Sequence, residues 1–186
     1  DLRLSRGLGD VYKRQDYEQA RTLVRQGIGF AALSALLLVI AAYLFAPHLL
    51  GLISTDGAYR DAGLRYMMVL IISLPSFVIA YGLNGILQAV GDTVSMQRAL
   101  IGAFFANLGL NPFLVFGIPG IFNGLGFNGI ATATVVSQTG VMTYIGFKLW
   151  QSGLCASRKL SAFFPNLHIY KAIFAQLLPT TFTMLV

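Results

Sequence analysis

Asn107 and Asn111 stand four residues apart, so on a helix both carboxamides project from one face, one turn from each other. Pro112 follows directly. It has no amide hydrogen and crowds the carbonyl of Leu108, which loosens the hydrogen-bond ladder beside the pair. Carboxamide oxygens next to freed carbonyls are hard oxygen donors of the kind that suit a small hard cation such as Na+. The same residues also suit interhelical bonding, worth about 0.6–2 kcal/mol per hydrogen bond inside a membrane. Spacing leaves both readings open. A second polar group follows at Thr132, Thr134, Ser137, Gln138 and Thr139, with Thr134 and Gln138 again one turn apart. Threonine hydroxyls in membrane helices usually bond back to their own carbonyls, so each alone reads as structural. Upstream, Asn84 and Gln88 repeat the four-residue spacing and lead into Gly91-Asp92-Thr93. Gly91-Asp92 suits a tight turn in which Asp92 caps the following helix. Pro75, Gly82 and Gly85 weaken the helix before it, so Pro75, Asn84, Gln88, Pro112 and Gln138 are candidates for a cavity wall or a hinge.

Other chemistries lack their residues. From Thr93 to Val186 there is no Asp or Glu, and the apolar runs contain no carboxylate. An embedded hydrolase would need an acid, base and nucleophile set, and none is present, so the chain does not read as an enzyme. His48 lies near the end of an apolar run and His168 in a basic connection. No zinc spacing, phosphate loop or dinucleotide glycine pattern occurs, so no cofactor is expected. Cys155 stands alone in the sequence, which excludes an internal disulfide framework.

The elements that must position these residues are membrane helices. The 186 residues are 56% hydrophobic and 11% charged, against about 25% charged in an ordinary soluble domain. Thirteen Lys and Arg give a net charge of +6 but sit in short stretches between apolar runs, as membrane-flanking charge and not as a nucleic-acid surface. Crossing a core about 30 Å thick takes about 20 residues. Runs 27–53, 66–90, 99–121 and 125–147 meet that length, and a fifth begins near Ile169. Each is apolar all round, so lipid or protein must cover every side. Arg21, Arg25, Arg98, Lys148, Arg158, Lys159 and Lys171 fall on one side, and only Arg60 and Arg65 on the other. The positive-inside rule therefore puts the residues before Gly27 and the 148–168 connection in the cytoplasm.

Residues 1–15 contain Asp10-Val11-Tyr12-Lys13-Arg14-Gln15, which resembles a translated sequencing-adapter end, and they are set aside as non-native. Residues 16–150 then hold the helices that carry the polar groups. Residues 151–168 form a connection, and 169–186 open another span.

The run Tyr81-Gly82-Leu83-Asn84-Gly85-Ile86-Leu87-Gln88-Ala89-Val90-Gly91-Asp92-Thr93 resembles the end of the fourth helix in multidrug and toxic compound extrusion (MATE) transporters. Asn107-Leu108-Gly109-Leu110-Asn111-Pro112 resembles the fifth-helix motif, and Gly129-Ile130-Ala131-Thr132-Ala133-Thr134-Val135-Val136-Ser137 the sixth. The resemblance implies an all-α, twelve-helix, two-lobe transporter, with this chain supplying helices three to six, the inter-lobe connection and the start of helix seven. It implies export of cationic or amphipathic compounds in exchange for Na+ or H+, from the cell membrane and as a monomer. The family's cation site would fall on Asn107, Asn111 and Thr134, with an acid from a first helix outside this sequence. Asn111 departs from the pattern, because the family has Asp there. A carboxamide keeps an oxygen ligand but carries no charge and takes no proton in the working pH range.

Two other readings stand beside the exporter. A flippase for lipid-linked saccharides would want cationic residues facing its cavity to hold phosphates, and none lies within the four complete spans expected here. A non-transporting membrane subunit would use the polar residues only to hold helices together.

Overall fold

The computed structural model describes the backbone of residues 2–53 and 57–154, and of 166, 167, 170, 171 and 175 beyond them. The expectations for Cys155, Arg158, Lys159, His168 and most of 169–186 lie outside the described residues. Among the residues up to 154 the described helices are α1 (Leu2–Ile53), α2 (Ala58–Ala89), α3 (Ser95–Phe116) and α4 (Phe127–Gln151), with a short turn between α2 and α3 and a two-stranded hairpin between α3 and α4. The all-α membrane architecture expected from the sequence is present.

Among the described residues three stretches are long and apolar enough to cross a membrane: Ala20–Leu52, Tyr59–Ala89 and Ser95–Phe116. Only 11%, 22% and 6% of their apolar windows are buried, so the outward faces need lipid or further protein as cover. The fourth expected span, 125–147, does form α4, 25 residues long. Its Asn, Thr, Ser and Gln make it less apolar than the other three, and it does not join them as a span by composition. The third span is shifted from the expected 99–121: α3 begins at Ser95 and stops at Phe116, and Gly117-Ile118 pairs antiparallel with Phe122-Asn123. Gly117 takes φ 76°, a left-handed conformation that ends the helix and admits the hairpin.

The chain forms two compact units, residues 31–148 and the two flanks together. In the 31–148 unit, α1 and α2 lie antiparallel and close. A Cβ at Gly82 would fall 2.6 Å from that of Ala31, and one at Gly63 would sit 3.6 Å from Leu50 Cδ2. Along α2 and α4 the contacts keep nearly one offset, so these two helices run parallel. Tyr66 meets Phe127 in a tilted ring contact at 4.8 Å, Ser76 Oγ lies 3.3 Å from Thr139 Oγ1, and Leu83 packs against Gly146. The Thr139 hydroxyl donates to Val135 O at 2.8 Å, which leaves Ser76 as the donor to it. Core positions are Ala80, Leu87, Ala131, Ala133, Val141 and Ile145, each at most 2% exposed. α3 and α4 form an antiparallel hairpin whose close end is Gly129, where a Cβ would stand 2.6 Å from Leu114 O. Leu125 N–H and Gly126 N–H bond to Leu114 O and Val115 O at 2.8 and 3.2 Å, which locks that end.

The flanking unit is held separately. Arg21 Nη2 donates to Gly153 O at 3.4 Å, Asn166 N–H donates to Gln26 Oε1 at 2.9 Å, and Phe30 meets Tyr170 edge-on at 5.1 Å.

Candidate functional site

The turn into α3 sets the starting register of the site. Asp92 Oδ1 accepts from Val94 N–H at 3.2 Å and Ser95 N–H at 2.9 Å, and its Oδ2 accepts from Ser95 Oγ at 2.6 Å. Asp92 is thus the cap that its position suggests. The Ser95 hydrogen bonds, with smaller help from Val94 and the Lys148 charge, hold its carboxyl below the usual carboxylate range.

Asn107 and Asn111 follow three and four turns into α3, which runs unbroken through Pro112. Asn111 Nδ2 donates to Asn107 Oδ1 at 2.8 Å, so the two carboxamides face each other as the spacing requires. Asn111 Oδ1 is buried with no hydrogen-bond partner. Both line a cavity of about 340 Å³, whose other polar walls are Ser137 and Gln138 of α4. Ser137 is 6% exposed and its hydroxyl also lacks a partner. Two residues that line one cavity thus each carry an orphaned buried oxygen, which is unusual, since most buried polar groups are bonded.

Thr134 is placed apart from that pair. It lines a neighbouring cavity of about 450 Å³ with Ser73, Phe77 and Gln138, and its hydroxyl donates to Ile130 O at 3.1 Å. Gln138 borders both spaces. Thr132 and Thr143 bond back in the same way, to Asn128 O and Thr139 O at 2.9 and 2.8 Å. Asn84 is 8% exposed with an unpartnered Oδ1, whereas Gln88 is exposed, and neither lines these cavities. α2 continues through Pro75 without a break. His48 lies on the exposed side of α1 with Nδ1 3.1 Å from Leu44 O.

A third cavity, about 490 Å³, extends the α3–α4 seam towards the start of α3. Its walls are mostly small or apolar, and its polar residues are Arg98, Ser137 and Tyr144. Ser137 is therefore common to this cavity and to the asparagine cavity. Ser137 and Arg98 carry no spacing signal that singles them out. Their importance comes from the register of α3 against α4, which a single helix pattern does not contain.

With no carboxylate in the seam, the donors on offer are neutral oxygens: Asn107 and Asn111 carboxamides, the Ser137 hydroxyl and the Gln138 carboxamide. Such a set fits weak, reversible coordination of a monovalent cation better than tight retention of a divalent one. Among the described residues no cluster of His, Cys, Asp or Glu is suited to hold a metal.

The MatE family model matches residues 8–113, more than half of the chain. The chain belongs to the MatE family. It is also 26% identical over 130 residues to a protein of Bacillus subtilis (strain 168) named probable multidrug resistance protein YoeA. That alignment covers 70% of this chain and 28% of the relative, so the chain spans a little over a quarter of that protein's length. No solved structure matches.

Proposed function

We propose that this chain forms part of a secondary active exporter that moves cationic or amphipathic compounds out of the cell in exchange for Na+ or H+. Membership of the MatE family carries this reading, and the name of the Bacillus relative supports the multidrug character. In this reading Asn107 and Asn111 supply oxygen ligands to the coupling ion, with Gln138 on the opposite wall and Thr134 one turn away. Opening of the Asn111 Nδ2–Asn107 Oδ1 bond would free the Asn107 oxygen fully for an ion. That exchange of one weak bond for ion contacts is the sort of small, reversible step that alternating access requires. The basic residues at the ends of the spans orient the chain with Arg98 and Lys148 towards the cytoplasm of a cell membrane.

Arg98 on a cavity wall is the one observation that favours the flippase alternative, since a guanidinium suits a lipid phosphate. Expressing the full-length protein in an efflux-deficient bacterium, with Na+ and pH varied separately, tests the exporter. Export of a fluorescent cationic dye that follows either gradient supports it. Absence of export from a protein shown to be inserted and folded contradicts it.

A further inference from the structure

Two of the seam cavities share a wall and differ in chemistry. The larger holds Arg98, the only ionised side chain lining either of them, with the Tyr144 ring and small apolar residues such as Ala99, Gly102 and Ala103. At its inner end lies Ser137, whose hydroxyl is buried and unpartnered and would have to turn to meet a ligand, and beyond it Asn111 with its unpartnered Oδ1. Gly129 against Leu114 sets the antiparallel register, which brings Ser137 level with about residue 106 of α3. Eight residues separate that level from Arg98, about 12 Å along the helix at 1.5 Å per residue. A cation at one end, a hydrogen-bonding group at the other and an apolar middle define a complementary ligand.

We infer that the α3–α4 seam seats an anionic amphiphile, with a carboxylate or sulfonate at Arg98, an apolar body along the small-residue wall, and a hydrogen-bonding group at Ser137. Charge complementarity selects the acidic end, because there is no Asp or Glu from Thr93 to Val186 to attract a cation there. Asp92, the nearest acid in sequence, is occupied in capping α3. The seat rests on the exporter reading for its purpose and widens the substrate class to acids.

Binding is measured with purified full-length protein in phosphatidylcholine nanodiscs, using biphenyl-4-carboxylate and its methyl ester as probes without any ion gradient. The acid should bind at least tenfold more tightly than the ester. Arg98→Gln should reduce the acid to the level of the ester while leaving the ester unchanged, and Arg98→Lys should restore part of the difference. Equal binding of acid and ester, or an acid affinity indifferent to Arg98→Gln in a protein of unchanged Tm, overturns the seat. So does loss of acid binding when phosphatidylglycerol replaces a fifth of the lipid, which would make a lipid headgroup the occupant. Because no gradient is used, the seat stands or falls independently of coupling. Dye export with no acid binding removes the seat alone, and acid binding without dye export removes the exporter reading alone.

Discussion

At the scale of single residues, the site depends on neutral oxygens where a charge would be expected to help. Asn111 contributes one bonded nitrogen and one orphaned oxygen. Replacing it by Asp adds a formal charge to a mostly uncharged cavity, and an attraction of about 1.4 kcal/mol corresponds to tenfold in affinity. Asn111→Asp in the full-length protein should therefore lower the Na+ concentration for half-maximal dye export by roughly tenfold. An unchanged Na+ requirement would place the ion elsewhere. Asp92 is a second residue with a separable role. Its carboxyl is held below the usual range mainly by Ser95, so its stabilising effect is fully present above the unfolded value and is lost as pH falls through the folded one. Thermal unfolding should show Asp92→Ala lowering Tm at neutral pH, with Asp92→Asn retaining most of the cap. The gap between wild type and Asp92→Ala should narrow under acid conditions below the ordinary carboxylate range, towards that between Asp92→Asn and Asp92→Ala. A gap of unchanged size there would mean that the charge of the carboxylate does not help to hold the turn.

At the scale of elements, close approach does the positioning. Gly82 meets Ala31 where α1 and α2 lie together, and Gly129 meets the Leu114 carbonyl where α3 and α4 turn. Gly82→Val should cost about 1–3 kcal/mol by overpacking. Ala31→Gly should recover part of that loss, and denaturation midpoints of the single and double variants in detergent check the pairing. Additive losses would show that the two residues do not meet. Helix identity was legible in the sequence because long apolar runs and the Gly91-Asp92 turn are local signals. The asparagine pair was legible for the same reason, as spacing within one helix decides that they touch. The hairpin at 117–123 was not legible, because an apolar run containing Pro119 reads as span until the left-handed Gly117 is seen. Ser137 was hidden more deeply. Thr134 carries the motif, but the register of α4 against α3 turns Ser137 towards the asparagines and Thr134 towards Ser73 and Phe77. That register is a relation between helices, and no one helix encodes it.

At the scale of the molecule, α4 is the least lipid-like helix and the one that touches both α2 and α3. Its contact with α2 runs from Phe127 to Gly146 and its contact with α3 from Gly129 to Tyr144. Ser137 on this helix is shielded by protein, whereas the exposed Thr139 and Thr143 bond back to their own helix carbonyls, and both devices let polar side chains remain inside a membrane. Movement of α3 against α4 would change the asparagine and Arg98 cavities together, since both share Ser137. In the proposed exporter, coupling of ion to substrate would then need no long path. The central claim, that the asparagine cavity couples ion entry to export, is tested most directly in proteoliposomes of the full-length protein. Dye counterflow is driven by an imposed Na+ or H+ gradient and compared among wild type, Asn107→Ala and Asn111→Ala. The account predicts gradient-driven flux in wild type and at least a tenfold loss of the gradient's effect in both variants, with dye binding retained. Full gradient dependence in both variants would contradict it and move the coupling site away from this seam.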